Sequence, residues 1–201
     1  MVDSNQMTFQ EVANTLKELG IHGITDEAIK HLEDTWNIMP SEVLDSMNKT
    51  AMLLTILGRG SYDYNTGIWI PKSSQVYSFD VEGHDMYTIF LQGILSISNN
   101  EFEITQIVED ISQVDFNQGT GMQTISFYYN GNPYMCEVEV NHDWFNEKML
   151  YFMNEVFEKE KNIKQLFFMG DGYQECIVFY CTEEWAQLFN KKTGCTLYNK
   201  E

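Results

Sequence analysis

The chain has 201 residues, of which 43% are hydrophobic, so it has enough apolar side chains to form a core and is not expected to be disordered. Its 30 acidic residues outnumber its 12 lysines and arginines, which gives a formal net charge of −18. A surface of that charge repels the phosphates of nucleic acids. The composition therefore excludes a direct DNA or RNA binder, and it favours either a well-solvated acidic surface or one complementary to a basic partner.

The sequence gives no signal for export or membrane insertion. No basic start followed by a short apolar run opens it, and no stretch of eighteen apolar residues occurs in it. We therefore expect no membrane partner and a cytoplasmic location, where the four cysteines should be reduced thiols, two or three of them packed in strands as small apolar residues. Cys176 and Cys181 lie an odd number of residues apart, so they would point to opposite faces of one strand and would not share a metal.

The N-terminal region, residues 1–58, is predicted to be helical. Thr8 and Glu11 have the spacing of a capping box, which starts a helix that ends at Leu19. Apolar residues at helical spacing predict two more helices, over residues 26–37 and 41–58. We expect these helices to form a separate subdomain, and the alternative is that they lie across an edge of the sheet.

Residues 59–74 are predicted to be a linker, because glycines and other turn-forming residues are frequent there. A brief strand is predicted over residues 68–70. The aromatic side chains of the linker look exposed, and tyrosine and tryptophan are favoured in protein interfaces. Tyr62, Tyr64 and Trp69 are therefore candidates for binding a partner, and the alternative is that they pin the loop to the core.

Residues 75–201 are predicted to form an α+β sheet domain. Hairpins and short connections imply a mostly antiparallel sheet of about six strands with helices packed on one face. The run from Cys176 to Cys181 is apolar on both faces, as expected of an interior strand. The predicted strands are residues 76–81, 102–109, the two strands of a central hairpin, 166–169 and 176–181, and the predicted helices are residues 85–98, 144–160 and 182–192.

The central hairpin has Asn130 and Gly131 at its turn. Asn-Gly is typical of a two-residue type I′ turn, in which both residues have positive φ. This turn pairs Tyr129 with Asn132, and the register then makes one face of the hairpin largely apolar. The sequence therefore predicts a strand pair with one buried side.

The opposite face of this hairpin is polar and carries Glu137 and Glu139. Carboxylates two residues apart on a strand share a face and can bind a metal or act in acid/base chemistry, but more often they mark the solvated side of a sheet. We take both as candidate partner-binding residues. After the hairpin, Asp143 is predicted to cap the helix that begins at Trp144.

Five short strings carry a resemblance to known proteins: GSYDY at 60–64, QVYSFDV at 75–81, GTGMQTISF at 119–127, DWF at 143–145 and TEEWA at 182–186. They make the chain similar to a family of uncharacterised acidic bacterial proteins. Those proteins resemble, in size and acidity, the immunity proteins that protect bacteria against polymorphic toxins. The resemblance supports a fold and a bacterial source better than a function, and it transfers no catalytic residue.

Three short strings match, in order, the motifs of penicillin-recognising serine enzymes: SMNK at 46–49, SNN at 98–100 and KTG at 192–194. We discount this match because KTG is predicted to end a helix rather than to lie on a strand, and because the chain is short for that fold. No motif for a metal or a cofactor is recognised. The histidines are far apart, and Gly119-Thr120-Gly121 lacks the third glycine of a dinucleotide-binding loop. We therefore expect a non-enzymatic protein-binding domain, without catalytic residue, metal or cofactor, whose partner is a protein such as a basic toxin. The alternatives are an enzyme with a site assembled from distant carboxylates and histidines, and a regulatory interaction module.

Overall fold

The structure, a computed structural model, describes residues 7–44, 47–63, 65–83 and 86–200, and at Tyr62 it describes the backbone alone. None of the helices in these ranges is long and apolar enough to cross a lipid bilayer. In chain order, the elements are α1 Phe9–Glu18, α2 Asp26–Ile38, α3 Ser41–Leu44, α4 Lys49–Gly58, β1 Ser61–Asp63, β2 Ile68–Ile70, β3 Tyr77–Asp80, α5 Met86–Ser96, β4 Ile104–Asp115, β5 Thr120–Tyr129, β6 Asn132–Asn141, α6 Lys148–Lys159, β7 Gln165–Gly170, β8 Glu175–Cys181 and α7 Glu183–Thr193.

The strands pair in antiparallel fashion, and together with the helices they give the predicted α+β fold. β1 and β2 form a small hairpin. The other six strands divide into a central sheet, in the order β3-β8-β7, and a hairpin sheet, in the order β4-β5-β6. The expected number of about six strands is therefore present, in two sheets of three.

The central sheet lies between two apolar cores, because its residues alternate between two covered faces. Ile177 and Phe179 of β8 pack with α1, α4 and α7, whereas Val178 and Tyr180 pack with α5, α6 and the hairpin sheet. The prediction that β8 is an interior strand is confirmed. Helices therefore cover both faces of the central sheet, while the hairpin sheet has the predicted arrangement with one covered face.

Phe157 of α6 connects the two sheets. Its ring centroid lies 5.7 Å from that of Tyr129 in the hairpin sheet and 5.3 Å from that of Tyr180 in the central sheet. The side-chain amide of Asn162 also donates hydrogen bonds to both tyrosine hydroxyls, at 2.6 and 3.0 Å. These contacts attach the apolar side of the hairpin sheet to the central sheet.

The N-terminal helices share a core with the central sheet. Leu16 of α1 and Leu54 of α4 are buried in the same cluster as Phe167 of β7 and Phe179 of β8. The region predicted as a helical subdomain therefore packs on one face of the region predicted as a sheet domain. Between them, the predicted linker contains the hairpin of β1 and β2.

Side-chain caps decide where the N-terminal helices begin. Thr8 and Glu11 form the predicted capping box, in which the Glu11 carboxylate accepts the Thr8 backbone N–H at 2.8 Å. The prediction of one helix over residues 41–58 is wrong, because the Asn48 side chain accepts the N–H groups of Thr50 and Ala51 and so starts α4. The short helix α3 precedes it, and residues 45–46 lie outside the described residues.

The hairpin is confirmed in turn and register. Asn130 and Gly131 have φ angles of +48° and +82°. Tyr129 pairs with Asn132, and the predicted pairing continues along both strands. Local turn chemistry and hydrophobic alternation therefore determine this element together.

The start of α6 differs from its prediction. The helix begins at Lys148 rather than at Trp144, and Asp143 does not cap it. The cause is a contact with the residues that follow β3, since the Phe145 N–H donates to the Val81 carbonyl at 2.7 Å. The Gly83 N–H donates to the Asp143 carbonyl at 3.0 Å, so this segment is extended instead of helical. The predicted start of the earlier helix, residue 85, lies outside the described residues.

Candidate functional site

The uncovered side of the hairpin sheet is the candidate functional site, and we call it the open face. In β5, Ile125 and Phe127 are buried in the core, so the residues between them point to the other side. Pairing with β4 and β6 continues this alternation across three strands. The open face consists of Thr105, Val108, Asp110, Gln113, Asp115, Thr120, Met122, Thr124, Ser126, Tyr128, Pro133, Met135, Glu137, Glu139 and Asn141.

Carboxylates are spread over one half of the open face. Asp110 and Glu137 lie in one row, on either side of Thr124. Hydrogen bonds from the Ser112 backbone and side chain lower the pKa of Asp110, so this group is ionised at neutral pH. The acidic residues of the open face are Asp110, Asp115, Glu137 and Glu139, all exposed.

Exposed apolar side chains occupy the neighbouring rows. Val108 and Met135 flank Ser126 in one row, and their side chains are 56% and 61% exposed. Tyr128 lies one row closer to the hairpin turn and Met122 two rows further from it, and both are exposed as well. Apolar side chains surrounded by polar and charged groups are typical of a surface that binds another protein.

The strands of the hairpin sheet carry acidic side chains and no lysine or arginine. From Ser73 to Glu147 the sequence contains twelve acidic residues and no lysine or arginine, and this segment includes the whole hairpin sheet. Such a surface attracts cations and basic proteins and repels anions. The open face is therefore suited to a partner that presents lysine or arginine.

Side chains protect one edge of the hairpin sheet. Along β6, the Lys148 ammonium donates to the Glu137 carbonyl at 2.7 Å, and the Asn146 amide donates to the Glu139 carbonyl at 2.9 Å. On the other edge, β4 has two irregularities in its pairing with β5, and bulges of this kind discourage the addition of a further strand. The sheet therefore offers a face to a partner more readily than an edge.

The residues predicted to bind a partner have different positions. Glu137 and Glu139 are brought together on the open face. Trp69 is only 7% exposed, and its ring packs edge to face on Tyr77, 4.9 Å away between centroids, so it pins the loop to the core. Its predicted role as an exposed contact is wrong, because Gly60 lacks a side chain and leaves room for the indole ring. The side chain of Tyr62 and the whole of Tyr64 lie outside the described residues.

Asp110 and Val108 of the open face were missed by the sequence analysis. The predicted strand ends at residue 109, whereas β4 continues to Asp115. Two register shifts interrupt the alternation of side chains in β4, so the sequence pattern there does not resemble a strand. The sequence does contain a signal for these two residues, because the stretch that has acidic residues but no lysine or arginine extends well beyond the hairpin.

An ion pair with one buried and one exposed partner lies away from the open face. Arg59, the only arginine in the chain, pairs with Glu175, whose side chain is buried in the central sheet. The Ser78 hydroxyl donates a hydrogen bond of 2.6 Å to the same carboxylate. Gly58 lies so close to the β3 backbone that a Cβ there would be 2.8 Å from the Ser78 nitrogen. The ion pair and the close approach of Gly58 hold the end of α4 against β3, so we assign both a structural role.

The histidines, cysteines and carboxylates that the structure describes offer no metal site. His22, His31 and His142 are exposed on separate segments, and His84 lies outside the described residues. Within the described ranges, no three His, Cys, Asp or Glu side chains are grouped to hold a metal. Burial raises the pKa of Cys136 to about 11 and that of Cys181 to about 12, so these thiols are protonated at neutral pH.

Comparison with known proteins adds no family to these observations. No protein-family model, no curated protein and no solved structure matches the chain.

Proposed function

We propose that this protein is a non-enzymatic protein-binding domain whose open face binds a basic protein. The observation that carries the proposal is a three-stranded sheet with one uncovered side, on which exposed apolar side chains lie beside carboxylates. Burying Val108 and Met135 against a partner would supply hydrophobic free energy. Glu137 and Glu139 would pair with cationic groups of that partner and orient it.

The form of this function that we propose is an immunity-type inhibitor of a basic bacterial toxin. Its support is the resemblance of the sequence strings to acidic bacterial proteins that are similar to immunity proteins. The net charge of −18 supports it as well, because an inhibitor must capture its toxin quickly and opposite charges accelerate association. We expect the association rate to fall as salt is added, since ions screen these charges.

The test uses the protein encoded immediately upstream of this gene, which is where we expect a toxin gene. Binding is measured by surface plasmon resonance for the wild type and for two double variants. Glu137→Lys with Glu139→Lys reverses two charges on the open face, and Asp34→Lys with Glu158→Lys reverses two exposed charges on α2 and α6. We expect the first variant to bind at least about tenfold more weakly and the second to change affinity less than about threefold.

Two results would contradict the proposal. Equal losses in both double variants would mean that the total charge, rather than the open face, drives association. Unchanged binding of the Glu137→Lys, Glu139→Lys variant would mean that the partner binds elsewhere. An upstream gene that encodes no basic protein would count against the immunity-type form of the function.

A further inference from the structure

A cleft of about 320 Å³ lies on the covered side of the hairpin sheet, at the end where β4 and β5 join. We call it the aromatic cleft. Its wall on the sheet is formed by residues that share the side of Ile125 and Val138, so it opens on the opposite side of the sheet from the open face. The residues that matter for its chemistry are Tyr87, Glu109, Phe116, Gln123 and Trp144.

Two large aromatic rings at the mouth of this cleft are incompletely buried. Phe116 is 66% exposed and Trp144 is 42% exposed. Tyr87 is buried at the base, where its hydroxyl accepts the Asn146 N–H at 3.2 Å. Burial raises the pKa of Tyr87 to about 12, so the phenol is neutral at physiological pH. The cleft therefore presents the rings of three aromatic residues to an occupant.

The Glu109 carboxylate is held in a fixed orientation at one wall of the aromatic cleft. It accepts the backbone N–H and hydroxyl of Thr88 at 2.6 and 2.5 Å, and the amide of Gln123 at 2.6 Å. Asp143 also lines the cleft, and none of the described lining residues is a lysine or arginine. Besides His142 and the neutral phenol at the base, the ionisable groups that the structure describes in the lining are therefore carboxylates, which attract a cation and disfavour an anion.

We propose that the aromatic cleft binds the cationic head of a lysine or arginine side chain presented by another polypeptide. An ammonium or guanidinium group is attracted to the faces of tryptophan, tyrosine and phenylalanine rings, and more strongly where water is partly excluded. The carboxylate at the wall complements the positive charge, and the apolar rings cover the alkyl part of the side chain. This site is independent of the open face, because the two lie on opposite sides of the sheet.

The test uses two short peptides that differ in a single group. Acetyl-Gly-Arg-Gly-amide carries a guanidinium, and acetyl-Gly-citrulline-Gly-amide replaces it with a neutral group of nearly the same shape. Binding is followed by NMR in about 0.15 M salt, where screening acts over about 8 Å. We expect the indole N–H signal of Trp144 to shift saturably with the arginine peptide, and the citrulline peptide to bind at least about fivefold more weakly.

Variants separate the cleft from the rest of the surface. Phe116→Ala and Trp144→Ala should each weaken binding of the arginine peptide by about fivefold or more. Because Trp144→Ala has lost the indole, its binding is followed through the backbone N–H signals of Glu109 and Gln123, which line the cleft. Tyr173→Ala removes a still more exposed aromatic, from the loop between β7 and β8, which does not line the cleft, and it should leave binding unchanged. Glu109→Gln tests the contribution of the negative charge at the wall of the cleft, and the NMR spectrum of this variant shows whether it keeps the fold. If Glu109→Gln unfolds, Phe116→Ala still tests the site.

Equal binding of the two peptides would overturn the proposal, and so would unchanged binding by both aromatic variants. The Glu137→Lys, Glu139→Lys variant should still bind the arginine peptide. If the arginine peptide did not bind the aromatic cleft, the proposal for the open face would therefore still stand. If the open face did not bind a basic protein, the proposal for the cleft would likewise still stand.

Discussion

Asn154 of α6 acts as a substitute for a strand partner, and removing it should destabilise the fold strongly. This buried side chain accepts the Leu166 N–H at 2.7 Å and donates to the Leu166 carbonyl at 2.9 Å and to the Asn199 carbonyl at 3.1 Å. Two residues further along the same edge of β7, Phe168 pairs with Tyr198 through two backbone hydrogen bonds. The amide of Asn154 therefore continues a row of bonds that the backbone itself does not complete.

The expected loss of stability in Asn154→Ala follows from the backbone groups of Leu166 that the variant leaves without a partner. Two buried polar groups of Leu166 lose their partner, at a cost of about 1 to 3 kcal/mol for each. Alanine returns about 0.5 kcal/mol because it is the better helix former. We expect the free energy of unfolding to fall by about 3 kcal/mol, as measured by urea denaturation followed by circular dichroism.

Asn14→Ala in α1 is the matched control for this measurement. Asn14 is also helical, but it is exposed and has one weak bond, accepted from Gln10 at 3.3 Å. This variant should differ from the wild type by less than about 0.5 kcal/mol. If Asn154→Ala proved as stable as Asn14→Ala, the reasoning that those three bonds hold α6 to the edge of β7 would be wrong.

Three further predictions concern the ion pair, the hairpin turn and the thiols. Arg59→Gln should lower the free energy of unfolding by about 2 kcal/mol, because it leaves the buried Glu175 carboxylate without its cation, and adding Glu175→Gln should restore part of that loss in the same urea assay. Gly131→Ala should cost only about 1 to 2 kcal/mol in thermal unfolding, because φ is +82° but no atom lies within 4 Å of an added Cβ, so a much larger loss would contradict the structure. The raised pKa values of Cys136 and Cys181 keep the reactive thiolate form of both residues scarce at pH 8. A disulfide reagent should therefore label the native protein at least about tenfold more slowly than the unfolded chain. Equal labelling rates would show that the thiols are not buried.

The parts of the fold that the sequence predicted well depend on local chemistry. Asn130 and Gly131 determine both the turn and the register of the hairpin, so alternation alone placed Glu137 and Glu139 on a solvent-facing side. The last helix, predicted over residues 182–192, is α7, and Gly194 ends it in the left-handed conformation, with φ of +73°, which glycine adopts readily.

The parts that were missed depend on contacts between distant segments. Trp144 and Phe145 have a helical pattern, but hydrogen bonds to the segment after β3 keep them extended. The division into two sheets depends on which strands pair across long connections, and no local sequence pattern indicates that pairing. Trp69 looked exposed because its linker is rich in turns, whereas its environment is set by Gly60 and by Tyr77 of β3.

The absence of lysine and arginine between Ser73 and Glu147 has a practical consequence for finding the partner. Trypsin cleaves only after those residues, so the entire hairpin sheet would be released as one long peptide that ends at Lys148. Reagents that join amines have no lysine to react with on the open face. A carbodiimide, which couples a carboxylate directly to a lysine of the bound protein, would instead form covalent links at Glu137 and Glu139, and digestion after glutamate would locate them.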